Sequence, residues 1–140
     1  MIYVEEKNIA TIEKLFIDLA ESTPLALCAW LYPESEVEEI GDIAVVYSDS
    51  TVEPYTEYGL DAACQRTELV EANEDHIQDL FNDSDGTRAI DNIALYREGE
   101  YEWYAVMLNH EGICLIRDDI LMKDLLSGGL NASFDPPDWW

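Results

Sequence analysis

The chain has 140 residues, the usual size of one domain and enough to enclose a hydrophobic core without metals or disulfides. Because 48% of the residues are hydrophobic and 11% are aromatic, the composition excludes a disordered acidic tail. The 31 Asp and Glu against 7 Lys and Arg give a formal net charge of −24, so direct binding to nucleic acid is not expected.

The start of the chain and the cysteines indicate a compartment. Residues 1–6 are acidic and lack the basic and apolar segments of a secretory signal, and no apolar run reaches the length of a membrane span. Cys28, Cys64 and Cys114 are odd in number and far apart, which suits buried free thiols in a reducing compartment. We therefore expect a cytoplasmic protein with no membrane partner.

The first half of the chain predicts one helix and two strands. From Asn8 to Ser22, apolar residues recur every three or four positions, which predicts an amphipathic helix capped by Asn8. Residues 25–32 (LALCAWLY) and 43–47 (IAVVY) are short apolar runs typical of buried strands. Residues 48–67 are irregular and predict a loop or edge strand followed by a short helical turn.

The second half predicts a helix, a meander and a final short helix. Residues 71–82 are amphipathic and end in a turn signal, and residues 90–97, 101–108 and 113–117 are apolar segments separated by turns. Asp118 or Asp119 can cap a short helix, and residues 130–140 are predicted to be an extended aromatic tail. The predicted fold is a single α+β domain, mainly an antiparallel sheet with a C-terminal β-meander and about three helices packed on it.

The sequence offers few residues for chemistry. The segment 83–86 resembles a calcium loop, but aligning its glycine puts Phe81 and Asn92 at the first and last ligand positions. No cysteines or histidines form the close pairs of a zinc site. We therefore expect no metal, no cofactor and no enzyme activity. The alternative is a small enzyme or ligand-binding domain that uses one of four candidate residues: His76, Asp79, His110 or Cys114.

The acidic residues are unevenly placed along the chain. No basic residue lies between Lys14 and Arg66, and three acidic rows span residues 34–42, 53–61 and 71–85. Rows of carboxylates can occupy a basic groove that another protein offers to phosphates, although each row can also be a solvated face. The predicted partner-binding residues are Glu34, Glu36, Glu38, Glu39, Asp42, Glu53, Tyr55, Glu57, Tyr58, Asp61, Glu71, Glu74, Asp75, Asp79, Asp83 and Asp85.

Two aromatic groups accompany the acids. Tyr47, Tyr55 and Tyr58 lie among the central rows, and the chain ends in Trp139 and Trp140. Aromatic side chains beside charge are typical of interface anchors. For the two tryptophans, folding back to cover the sheet and acting as an exposed anchor remain equal alternatives.

The block NIALYREGEYEWYAVMLNHEGICLIRDDIL, residues 92–121, resembles the strand meander and acidic turn of bacterial immunity proteins. These small acidic proteins are encoded beside polymorphic or contact-dependent growth inhibition toxins. The resemblance implies a cytoplasmic inhibitor that binds a basic partner, a toxin nuclease domain, and occludes its cleft. The alternative binder is a phage or plasmid DNA mimic directed at a restriction or CRISPR nuclease.

Overall fold

The computed structural model describes residues 1–32, 35–47, 51–55, 65–84, 89–108 and 110–140, without the side chains of residues 83 and 84. These residues form a single α+β domain, which confirms the predicted class. The strands are β1 (Ile2–Glu5), β2 (Leu25–Leu31), β3 (Glu39–Ile40), β4 (Ile43–Tyr47), β5 (Gln65–Thr67), β6 (Val70–Glu71), β7 (Ile90–Arg97), β8 (Trp103–Leu108), β9 (Ile113–Ile116) and β10 (Asn131–Ser133). The helices are α1 (Ile9–Ser22), α2 (Glu74–Ser84) and α3 (Met122–Ser127), which follows a 3-10 turn at Asp119–Leu121.

The described strands form one antiparallel sheet in the order β10-β1-β9-β8-β7-β2-β5-β4-β3, with β6 also paired to β2. The central pair is β2 with β7, in which Leu25 lies opposite Arg97 and Leu31 opposite Ile90. Strands β7, β8 and β9 are the predicted meander. The short strands β1, β3, β5, β6 and β10 were not predicted as strands, apart from the loose expectation of an edge strand between residues 48 and 67.

Helix α1 begins and ends as the sequence predicts. The side chain of Asn8 accepts a hydrogen bond from the Ala10 amide at 3.1 Å, and the Thr23 amide donates to the Leu19 carbonyl at 3.1 Å. Its apolar stripe includes Ile12 and Phe16, both buried against the sheet. The amphipathic pattern is therefore confirmed.

Helix α2 begins three residues later than predicted. Glu71 pairs with Ala26 in the sheet, and the Ala72 amide donates to the Leu25 carbonyl at 2.9 Å. Asn73 then caps the helix, because its side chain accepts a hydrogen bond from the His76 amide at 2.9 Å. The sheet holds residues 71–72 in the extended conformation and so delays the helix.

The two faces of the sheet have separate cores. On the helix face, α1 and α2 pack over the sheet, and Phe16 meets Phe81 edge-to-face with ring centroids 5.3 Å apart. The opposite face buries a second cluster, which comprises Cys28, Trp30, Val52, Ala94, Tyr96, Trp103, Val106, Leu108, Ile113 and Leu115. No described helix covers this second face. Residues 51–55, here called the strap, lie on it instead.

Candidate interaction surfaces

The strap is held to the open face of the sheet by hydrogen bonds along its backbone. The Glu53 amide donates to the Tyr101 carbonyl at 2.8 Å, and the Tyr96 hydroxyl donates to the Glu53 carbonyl at 2.7 Å. The Asn92 side-chain amide donates to the Tyr55 carbonyl at 2.6 Å. These bonds fix the position from which the Tyr55 ring projects.

The carboxylate of Glu53 is engaged within the protein. It accepts hydrogen bonds from Arg117 Nη1 at 2.9 Å and from the Trp103 amide at 3.4 Å. The Arg117 guanidinium also lies 3.6 Å from the centroid of the Trp103 ring, in cation–π geometry. Glu53 was predicted to bind a partner. In the structure its carboxylate joins the strap to Trp103 of β8 and to Arg117.

Two buried acidic groups on this face, the Tyr96 hydroxyl and the Cys28 thiol, are held in their neutral forms. Tyr96 Oη accepts a hydrogen bond from Trp30 Nε1 at 2.9 Å, and burial raises the pKa of Tyr96 far above its usual value. Burial also raises the pKa of the Cys28 thiol to about 12, although the nearby Arg66 charge opposes the shift. The Tyr96 hydroxyl and the Cys28 thiol therefore carry no negative charge near neutral pH.

The described arginines are turned toward the protein itself. Arg66 is only 5% exposed and donates to a backbone carbonyl at 3.0 Å. Arg97 lies 4.5 Å from the centroid of the Tyr104 ring and 3.4 Å from the Asp118 carboxylate, while Arg117 binds the strap. Among the described residues, the exposed basic side chains are Arg97 and three lysines: Lys7, Lys14 and Lys123. Little positive charge therefore offsets the acids at the surface.

The turn between β3 and β4 lies against α2. Gly41 in this turn has a φ of +55°, and a methyl group there would lie 2.9 Å from Cβ of Asp79. The first and third predicted rows are thereby brought together. We call the combined set the acidic surface: Glu36, Glu38, Glu39, Asp42, Glu71, Glu74, Asp75 and Asp79. All of these except the half-buried Asp79 are exposed.

The middle row contributes differently. Glu53 and Tyr55 lie on the open face of the sheet, opposite the face on which α2 packs. The remaining predicted residues of this row, and two from the other rows, lie outside the described residues: Glu34, Glu57, Tyr58, Asp61 and Asp85. Asp83 belongs to α2, and its side chain lies outside the described part as well.

The residues considered for chemistry lie in two parts of the fold: His76 and Asp79 are three residues apart on α2, whereas His110 is in the turn before β9 and Cys114 is in β9. His76 Nδ1 lies 2.7 Å from the Glu71 carbonyl, so the ring is bound to the backbone at the start of α2. His110 is exposed and stacks on Tyr32 with ring centroids 5.5 Å apart. Cys114 is fully buried in the helix-side core, where burial raises the pKa of its thiol to about 12. A thiolate at Cys114 with His110 as its base is not supported.

The two buried thiols give a direct prediction. In a Cys64→Ser background, Cys28 and Cys114 are expected to react with iodoacetamide at pH 8 at least about 100-fold more slowly in folded protein than in urea, because the thiolate is the nucleophile and both thiols are buried. Mass spectrometry of alkylated samples measures the rates. Rapid labelling of either cysteine in folded protein would contradict its burial. The wild-type chain labelled in urea is the control for full reactivity.

The C-terminal tryptophans fold back onto the sheet and also stay exposed, so they have features of both alternatives that the sequence left open. Trp139 Nε1 donates to the Glu5 carboxylate at 2.9 Å, and Trp140 meets the Tyr3 ring edge-on at 6.1 Å. Both residues therefore fold back onto β1. Their side chains nevertheless remain open to solvent, because Trp139 is 54% and Trp140 is 45% exposed. Preceding them, residues 131–133 of the predicted tail pair with β1 as strand β10.

Within the described ranges, no helix is both long and apolar enough to cross a membrane. Among the same residues, no group of three or more His, Cys, Asp or Glu side chains is arranged to hold a metal ion. Comparison with protein families, curated proteins and solved structures gives no match.

Proposed function

We propose that the protein is an acidic inhibitor that binds a basic protein partner and covers its positive surface. The partner is a toxin nuclease domain, toward which the chain acts as a cytoplasmic immunity protein, as the resemblance of residues 92–121 implies. One observation carries the proposal. Two acidic rows meet where Gly41 contacts Asp79, while the described arginines bind groups of the protein itself.

Electrostatic steering explains why such a surface would be useful. Complementary fields raise association rates from about 10⁵–10⁶ to 10⁸–10⁹ M⁻¹s⁻¹ at low salt. Carboxylates on a fixed turn and helix also present acceptors to Arg and Lys as phosphates do, without the cost of ordering a loop. Because the net charge of −24 works against folding, a partner that uses this charge gives a reason for its retention.

The test combines co-expression and kinetics. The protein encoded by the neighbouring gene is expressed with and without this chain, and survival of the cells reports inhibition. The purified pair then gives association rates between about 20 and 200 mM salt, a range over which the Debye length shortens from about 20 to 7 Å. A toxin neighbour supports the immunity role, whereas a restriction or CRISPR nuclease as the partner would support the DNA mimic and overturn it.

Neutralising the acidic surface is expected to slow association. The variant Glu38→Gln, Asp42→Asn, Glu74→Gln and Asp75→Asn should reduce the association rate at low salt at least about tenfold, with a smaller effect on dissociation, because these four side chains are exposed. Stopped-flow fluorescence measures both rates. Loss of two acids from the first turn of α2 costs only about 0.3–1 kcal/mol each, so the variant should stay folded.

A matched variant controls for net charge. Glu98→Gln, Glu100→Gln, Glu102→Gln and Asp124→Asn remove four charges from exposed positions near the β7–β8 turn and on α3. This variant should slow association much less than the first one. Equal slowing by both variants would show that total charge, rather than the acidic surface, attracts the partner.

A further inference from the structure

Three aromatic rings and one carboxylate frame a small pocket on the open face of the sheet. Tyr55, Glu111, Trp139 and Trp140 line a volume of about 210 Å³. We infer that this pocket binds an arginine side chain of the basic partner. The inference rests on the proposed function for the partner's basic character, but the pocket is separate from the acidic surface, which lies beside α2 on the helix side of the molecule.

The composition of the pocket matches the chemistry of a guanidinium group. Aromatic faces attract cations with about 0.5–1 kcal/mol when exposed and about 2 kcal/mol or more when desolvated, and a carboxylate adds charge-assisted hydrogen bonds. A planar guanidinium satisfies both, because it can stack on a ring while donating in its own plane. A lysine ammonium is more strongly hydrated and cannot stack in this way.

The protein uses the same combination internally. The Arg117 guanidinium lies 3.6 Å from the Trp103 ring centroid while its Nη1 binds Glu53 at 2.9 Å. Arg97 repeats the arrangement with the ring of Tyr104 and a carboxylate. The pocket presents rings and a carboxylate again, and no described basic residue lines it. An arginine side chain of a partner can lie between a ring and a carboxylate here in the same way.

The rings of the pocket are held in place by the fold. Trp139 is tied to Glu5 of β1 through its indole N–H, and Trp140 rests edge-on against Tyr3 of the same strand. Trp139 and Trp140 also meet edge-to-face at 6.0 Å. On the other side, Tyr55 belongs to the strap, and its ring meets Trp103 edge-on at 5.8 Å. Binding therefore requires little ordering of side chains.

The neighbouring cleft adds negative charge. It shares Glu111 and Trp139 with the pocket and measures about 750 Å³. Its charged lining comprises Glu5, Glu6, Glu111 and Lys7, with His110 as a further titratable group. The stem of Lys7 packs toward Gly112, where an added methyl group would lie 3.2 Å from its Cγ. The three carboxylates outnumber the basic groups of this lining, so the area is negative, which favours a cation.

The experiment uses N-acetyl-arginine-N-methylamide as the probe and the indole N–H signals of the full chain in ¹H–¹⁵N NMR spectra. Saturable shifts are expected at Trp139 and Trp140, with a Kd of about 1–20 mM, as suits one cation–π contact and one carboxylate. The uncharged citrulline analogue has nearly the same shape and should bind at least about tenfold more weakly, because it lacks the charge. Glu111→Gln should weaken binding of the arginine probe about threefold or more.

Two controls separate this inference from the proposed function. The variants Glu98→Gln and Asp124→Asn should leave probe binding unchanged, because neither residue lines the pocket. Absence of saturable shifts, equal binding of the citrulline analogue, or tighter binding of the matching lysine derivative would overturn the arginine pocket. Each of these results would leave salt-dependent association through the acidic surface intact. Conversely, probe binding without any salt-dependent association would overturn the proposed function and keep the pocket as a site that binds an arginine side chain.

Discussion

Replacing Phe81 by alanine is expected to lower the free energy of unfolding by about 3–5 kcal/mol. The ring is 2% exposed and packs edge-to-face on Phe16, so the substitution opens a cavity between α1 and α2. Because a domain of this size is stable by only about 5–15 kcal/mol, the variant should be marginally folded. Urea unfolding followed by tryptophan fluorescence measures the change.

The adjacent position supplies the control. Asn82 follows Phe81 on α2 and is exposed, so Asn82→Ala should change stability by no more than about 0.5 kcal/mol. A cost below about 1.5 kcal/mol for Phe81→Ala would mean that α2 is not anchored by this ring. Since α2 carries Glu74, Asp75 and Asp79, its anchoring determines whether the acidic surface exists as a fixed array.

Replacing Gly41 by alanine is expected to cost about 2–5 kcal/mol of stability. About 1–2 kcal/mol arises from the left-handed backbone at φ +55°, which an L side chain resists. The rest, about 1–3 kcal/mol, is overpacking against Asp79, whose Cβ lies 2.9 Å from the new methyl group. Association with the partner should also slow, because the turn must move away from α2.

Two matched variants isolate the contribution of the Asp79 contact. Gly99 has a φ of +76° with no atom within 4 Å of an added methyl group, so Gly99→Ala should cost only the backbone part, about 1–2 kcal/mol. In an Asp79→Gly background, the cost of Gly41→Ala should fall to a similar value, which a double-mutant cycle of unfolding free energies measures. Equal costs for Gly41→Ala and Gly99→Ala in the wild-type background would contradict the contact between the turn and α2.

The local pattern of apolar residues was enough to predict the helices and strands that bury an apolar stripe or face within one stretch of sequence. Helix α1, strands β2 and β4, the β7–β9 meander and the final short helix all carry such patterns within one window of sequence. Strands β1, β6 and β10 are only two to four residues long, and their pairing is decided by neighbours distant in the chain. For the same reason Glu71, predicted in a helix, lies in a strand. Strand β3 pairs locally with β4, but its two residues are too few to show a period.

The candidate sites show the same division. Composition and spacing identified the acidic rows, but the contact between Gly41 and Asp79 that joins two of them depends on tertiary packing. No local signal distinguished Glu53, which binds Arg117, from acids that face solvent. Glu111 was not predicted as a site residue either, because only the tertiary fold shows that it lines a pocket with Tyr55 and the two C-terminal tryptophans.

The place of β1 within the sheet has a consequence for how the chain folds. This strand precedes β9 and β10 by more than about 100 residues, yet it lies between them in the sheet. Ile2 and Val4 are fully buried in the finished protein but have no strand partner until Ile113–Ile116 has left the ribosome. Closing so long a loop is entropically costly and slow, so β1 is paired later than the strands that follow it along the chain.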